Sequence, residues 1–131
     1  MRILLDTNIY ISALLFPSEQ FDLLFERIST KHELVLCSYV VNEIYTVIER
    51  KFPGKKTVID NLLQTISYDY VETSLTSEYK NINLRDEKDL PILYTAIEHN
   101  VDVILTGDKD LLQLEIAFPK ILTVSDFLLN Y

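Results

Sequence analysis

The stretch Arg2–Asn8, RILLDTN, runs a short apolar segment straight into an acid. Ile3, Leu4 and Leu5 do not alternate with polar residues, which is the pattern of a strand buried on both faces. Asp6 then stands at the end of that strand. Its carboxylate fits three roles: a surface turn residue, the cap of a following helix, or the first ligand of a metal site. What the other segments bring to the same edge separates these roles.

Three further apolar runs read as strands: LVLC at 34–37, VDVILT at 101–106 and KILTV at 120–124. YVET at 70–73 is a weaker candidate. Longer segments with apolar residues at helical spacing lie between them. In FDLLFERI the face is Phe21, Leu24, Phe25 and Ile28, and in SYVVNEIYTVIERKF it is Val40, Ile44, Val47 and Ile48. KTVIDNLLQTI and DLPILYTAIEHN follow the same period. Ser38 is positioned as an N-cap, and Asn100 as a left-handed helix stop. Pro91 fixes a helix start close to Asp89, and Pro53-Gly54 separates two helices. The polar stretch from Ser74 to Asn83 connects elements or carries a short helix. Strands alternating with helices predict an α/β domain whose mostly parallel central sheet is flanked by helices. One domain over residues 1–131 is expected.

Composition narrows the class. The 131 residues are 48% hydrophobic, with 2 Gly and 4 Pro, which suits one folded core and no low-complexity tract. No apolar run approaches the roughly 20 residues needed to cross a bilayer, and no secretory signal pattern opens the chain. A protein of the cytoplasm, away from membranes, is expected. The single Cys, Cys37, excludes an internal disulfide and a zinc framework, and its apolar setting predicts a buried inert thiol. A net charge of −8 argues against a broad basic surface for nucleic acid. Acids clustered in one cleft and neutralised by divalent ions would have a different meaning.

The acids are arranged in that way. Ligand sites of parallel α/β sheets form beyond the carboxyl ends of the strands. Asp6 ends the first strand, and Asp108 follows VDVIL through a Thr-Gly turn in which Gly107 allows close backbone approach. Asp89 opens the helix DLPILYTA, and Glu43 lies in the first turns of the helix after the second strand. Singly, each acid is explained as a cap or a solvated helix residue. Together they place four carboxylates at one sheet edge, where they repel one another unless cations compensate. Oxygen donors without Cys or His suit Mg²⁺ or Mn²⁺ rather than zinc. His32 and His99 fall away from this edge. Asp110 serves either as a helix-start residue or to orient water.

The ordered set LLDTN, SYVVNEI, RDEKDLPILYTA and ILTGDKDLL resembles the PIN domains. More narrowly, it is similar to the VapC-like toxins of prokaryotic type II toxin–antitoxin systems. The resemblance runs from Arg2 to Phe127 and implies a PIN-like three-layer sandwich. It also implies a divalent-metal-dependent endoribonuclease that cleaves RNA phosphodiesters with one or two Mg²⁺ or Mn²⁺ ions. Carried over by position, the catalytic and metal-binding acids are Asp6, Glu43, Asp89 and Asp108. Thr7 and Asn8 are implied to support the site by hydrogen bonding. Within RDEKD either Asp86 or Asp89 is the ligand; Asp89 has the better spacing to the following helix, leaving Asp86 as a supporting acid. An antitoxin partner is implied as well.

Basic residues are concentrated at Arg50, Lys51, Lys55 and Lys56, read as RNA phosphate contacts or as a solvated hairpin tip. Arg85 is a further candidate, with an ion pair as its alternative. Apolar helix surface around Tyr39–Tyr45 or Phe21–Phe25 serves antitoxin or homodimer contacts, or simply the core. Three other functions compete. A response-regulator receiver shares the α/β architecture and an acidic Mg²⁺ site, but it wants paired acids before its phosphorylated Asp, an order this chain does not match. A haloacid-dehalogenase-like phosphatase wants a second Asp two residues after the first, where this chain has Asn8. A non-catalytic PIN-like RNA-binding or interaction module would keep the fold without needing the acids.

Overall fold

A computed structural model describes residues 1–73 and 90–131. The elements are β1 (Arg2–Leu5), α1 (Thr7–Leu15), α2 (Glu19–Lys31), β2 (Glu33–Cys37) and α3 (Ser38–Lys51), then a 3-10 turn (Pro53–Lys55). They continue with α4 (Lys56–Thr65), β3 (Asp69–Val71), α5 (Leu90–Glu98), β4 (Val103–Leu105), α6 (Lys109–Leu112), β5 (Lys120–Leu122) and α7 (Val124–Asn130). Residues 74–89, which include the polar stretch from Ser74 to Asn83, Arg85, Asp86 and Asp89, lie outside the described residues.

The strands form one all-parallel sheet in the order β3-β2-β1-β4-β5. Consecutive residues of a strand point to opposite faces. Ile3, Leu4 and Leu5 of β1 and Val103, Ile104 and Leu105 of β4 are nevertheless all fully buried. Helices therefore cover both faces, and this accounts for the missing apolar–polar alternation in the sequence. The core continues through Leu24 and Ile28 of α2, Val40, Ile44 and Ile48 of α3, and Phe127 of α7. Phe21, Phe25, Tyr39 and Tyr45 are partly buried against this core, so packing accounts for much of both apolar helix stretches. Cys37 is buried and free. No helix among the described residues is long and apolar enough to cross a membrane.

Polar clamps hold the amino-terminal edge of the sheet. The Arg2 guanidinium donates to Glu33 at 3.2 Å, to Asp69 at 3.0 Å and to the His99 carbonyl at 3.0 Å, while its backbone N–H donates to Asp102 at 2.7 Å. One side chain thus links the starts of β1, β2 and β3 to the end of α5. The carboxylate partners are about half exposed, so this linkage sets alignment more than stability. Asn100 takes the left-handed conformation (φ 56°) expected of a helix stop, and Val101 N–H closes the turn on the Ala96 carbonyl.

Several elements depart from the sequence reading. α1 has no period to read: apolar residues run nearly around it, and it is fixed by packing on α3 and by its cap at Asp6. α7 is only seven residues, defined by the Thr123 side chain accepting from Asp126 N–H. α6 is a single turn, Lys109–Leu112, capped by the Asp108 side chain accepting from Asp110 N–H. Ser38 is not the N-cap of α3. Cys37 holds that position without a side-chain bond, and Ser38 is the first helical residue. The capping bond comes from across the sheet instead: Thr73 Oγ1 accepts from Tyr39 N–H at 2.9 Å, and Ser38 Oγ accepts from Thr73 N–H at 2.9 Å. Gly107 has no positive φ, and a Cβ placed on it would meet nothing within 4 Å, so close backbone approach is not its role.

Truncating Ile104 to Ala at the centre of the sheet is expected to cost about 2–5 kcal/mol, read as a shift of the urea-unfolding midpoint. Asn100→Gly should be neutral or slightly stabilising in the same measurement, whereas Asn100→Val should cost about 1–2 kcal/mol because a β-branched residue resists positive φ.

Candidate active site

From β1 the sheet extends through β2 and β3 in one direction and through β4 and β5 in the other, so the strand order reverses between β1 and β4. A crevice opens at such a reversal, past the carboxyl ends of the strands. Asp6 leaves β1 there and its N–H donates to the Leu105 carbonyl at 2.9 Å, tying the two strand ends together. The chain leaving β4 runs through Thr106 and Gly107 to Asp108. α3 departs directly from the neighbouring strand β2 and carries Glu43 along the same edge.

These elements line one cleft of about 530 Å³, formed by Asp6, Thr7, Asn8, Tyr39, Asn42, Glu43, Thr46, Val47, Arg50 and Asp108. Asp6 is the most enclosed of the acids, with 5% of its surface exposed. Its Oδ1 accepts from Thr7 N–H at 2.7 Å and its Oδ2 from the Thr106 hydroxyl at 2.8 Å. The Thr7 hydroxyl donates to Glu43 Oε2 at 2.8 Å. Asp108 Oδ1 accepts from Asp110 N–H at 2.7 Å, and Asp108 N–H donates to Thr106 Oγ1 at 3.0 Å. The two threonines thereby join three acids into one network. Thr106 bridges Asp6 to the Asp108 backbone, and Thr7 bridges Asp6 to Glu43.

Asp6 and Asp108 are helix N-caps, as expected of acids at those points. Capping and lining the cleft are compatible, because a carboxylate has several lone pairs on two oxygens. Burial raises the Asp6 pKa above its ordinary value. The bonds from Thr106 and Thr7 oppose that rise, and the charges of Glu43 and Asp108 add to it. Among the described residues no side-chain cation pairs with Asp6, which leaves the site electrostatically receptive to one.

Oxygen donors from three acids suit a hard divalent ion. Among the described residues, no three His, Cys, Asp or Glu side chains are gathered tightly enough to hold a metal unaided. Each acid is turned toward a protein donor instead, as the network above requires. The residue types therefore fit a divalent cation, while the described residues supply only part of a ligand shell.

Of the residues expected from sequence, Asp6, Thr7, Asn8, Glu43, Arg50 and Asp108 come together. Lys51, Lys55, Lys56 and Asp110 do not line the cleft, nor do His32 and His99. Asp110 instead begins α6 and donates its backbone N–H to Asp108. Arg85, Asp86 and Asp89 lie outside the described residues. Sequence reasoning missed Thr106, Tyr39, Asn42, Thr46 and Val47. Four of these five were legible: positions 39, 43, 46, 47 and 50 repeat at helical spacing, so Tyr39, Thr46, Val47 and Arg50 share the face of α3 that carries Glu43, and Asn42 adjoins it. Thr106 carries no such signal, because its bond to Asp6 spans 100 residues of sequence.

A family model described as PIN domain matches residues 2–110, a span that contains all the acids discussed above. Among solved structures, a chain of VapBC2 from Rickettsia felis, bound to a DNA fragment from their promoter, has a similar fold. The TM-score is 0.75 at 19% sequence identity, and the match covers 93% of this chain and 97% of that one. No curated protein matches the sequence. The match of the family model over most of the chain, on a parallel sheet with acids at its carboxyl edge, shows that the protein belongs to the PIN-domain family.

Proposed function

We propose that the chain is a divalent-metal-dependent endoribonuclease acting as the toxin of a toxin–antitoxin pair. The observation that carries this is the convergence of Asp6, Glu43 and Asp108, from three separate elements, on one cleft at the reversal point of the sheet. Membership of a family made up largely of nucleases supports the chemistry. Asp89 is the fourth acid of the proposal, with Asp86 in support, on the resemblance of RDEKDLPILYTA to the family pattern. The likeness to VapBC2 supports the toxin role and a small antitoxin partner, with a homodimer as the further association.

In this proposal Asp6, Glu43, Asp89 and Asp108 hold one or two Mg²⁺ or Mn²⁺ ions. Such ions supply charge neutralisation at the phosphoryl oxygens and a more acidic water than bulk solvent offers. The remaining work belongs to the chain. Thr106 and Thr7 orient Asp6 and Glu43 through their hydroxyl bonds and keep both carboxylates at the cleft. Burial of Asp6 keeps competing water from its oxygens. Asn8, at the mouth of the cleft, offers an amide to the ribose-phosphate. It also stands where a phosphatase of the haloacid-dehalogenase type would need its second Asp, which favours the nuclease.

Three measurements test the proposal. Single-stranded RNA should be cut in Mg²⁺ or Mn²⁺ and left intact in chelator. Asp6→Asn and Asp89→Asn should lower the rate by more than about a hundredfold, and Thr106→Val by about 10–100-fold. Equal rates in all variants, or cleavage unaffected by chelator, would remove the metal-nuclease assignment.

Stability should respond to pH in a defined direction. Because the folded-state pKa of Asp6 is raised, the folded protein holds its proton more tightly than the unfolded chain. Without divalent ions, its contribution therefore favours folding at acid pH and is lost as pH rises from about 4 through the raised folded value. Urea unfolding in chelator across that range should show a smaller loss for Asp6→Asn than for wild type. Calorimetric titration with Mn²⁺ should show binding that Asp6→Asn weakens by at least about tenfold.

A further inference from the structure

The cleft has two unlike ends. Asp6, Glu43 and Asp108 line one of them, and Arg50 is the one cation among the described lining residues. Between them the floor is a single face of α3, with Asn42 and Thr46 exposed beside Val47. Arg50 itself is exposed, and among the described residues the ion pairs all belong to Arg2, so the Arg50 guanidinium is left uncommitted. Its place in the last turn of α3 suits the helix dipole, and among the described residues no acid holds its side chain. It is well placed as a phosphate seat in a cleft that otherwise repels anions.

We infer that Arg50 is a substrate-positioning residue: it seats a backbone phosphate displaced along α3 from the one held among the acids, with Asn42 and Thr46 lining the path between. This rests on the nuclease assignment and deepens it by defining the substrate. Glu43 and Arg50 are seven positions apart, which is about 10 Å along a helix. At the ~3.4 Å per nucleotide of a stacked B-form strand, that offset corresponds to about three nucleotides. A cleft of about 530 Å³ has the size of a small-ligand pocket, which suits part of one strand better than the body of a duplex. The substrate class is then a single strand that continues past the scissile bond on the Arg50 side. A mononucleotide or a strand ending at the cut would lack the second contact. Lys51, Lys55 and Lys56, which do not line the cleft, take no part in this contact.

The test compares wild type, Arg50→Ala, Arg50→Lys and Lys55→Ala in two assays. The first is binding of a short single-stranded RNA by fluorescence anisotropy over a salt series. The second is cleavage of a set of oligonucleotides, each carrying one uncharged methylphosphonate linkage at a different position. Arg50→Ala should weaken binding by about tenfold and flatten the slope of log K against log salt by about 0.7, the signature of one lost phosphate contact. Arg50→Lys should recover part of the affinity and the full slope, and Lys55→Ala should match wild type. In cleavage, Arg50→Ala should raise KM far more than it lowers kcat, and its deficit should vanish for the one oligonucleotide whose neutral linkage lies in the seat. An unchanged affinity and slope in Arg50→Ala, or a deficit that persists for every methylphosphonate position, would overturn the inference, as would wild type failing to bind RNA. Arg50-dependent binding without cleavage would instead overturn the nuclease assignment and leave the phosphate seat standing.

Discussion

Everything at the functional edge depends on the pairing of β1 with β4. Parallel strands buried on both faces leave polar groups no outlet except at the strand ends. At the carboxyl end of this pair, Asp6 N–H bonds the Leu105 carbonyl and Thr106 Oγ1 bonds the Asp6 carboxylate. A carboxylate that is nearly fully enclosed is tolerable there only because both of its oxygens accept from nearby donors. Sheet register and site geometry are therefore one constraint. A slip of one residue between β1 and β4 would separate Thr106 from Asp6 and bring the wrong face of each strand to the core.

The same economy runs through the rest of the site. Asp6 and Asp108 each begin a helix and each face the cleft, so two requirements of the fold and two of the site are met by the same pair of side chains. Thr7 is both the first residue of α1 and the donor that orients Glu43. At the far end of the strands Arg2 makes the corresponding linkage, joining three strands and the end of α5 through one guanidinium. Arg2 thus clamps the amino edge of the sheet among three carboxylates, while Asp6, Glu43 and Asp108 line the cleft at its carboxyl edge.

Much of the fold was readable where physics is local. The strand runs, the amphipathic faces of α2, α3 and α4, the stop at Asn100 and the break at Pro53-Gly54 all follow from periodicity or backbone preference. α1 was unreadable because a helix covered on most sides has no polar stripe to set its period. Ser38 misled for a related reason. A serine before a helical run is a good capping candidate, but Thr73, from the segment after β3, supplies the bond, and sequence offers no sign of a donor–acceptor exchange across a sheet.

The candidate site divides along the same line. Asp6, Glu43 and Asp108 were identifiable because acids at strand ends and in first helical turns fall at one edge of any parallel sheet. Arg50 stood out in sequence only as part of a basic group, and the tertiary structure separated it from Lys51, Lys55 and Lys56. Local pattern and chain order were enough for the class of fold and for placing Asp6, Glu43 and Asp108 at one edge of the sheet. That Thr106 and Thr7 tie those acids together, and that Arg50 shares their cleft, emerges from the tertiary structure. Contacts between residues far apart in the chain are set by strand register and helix rotation, and neither is written in any one segment.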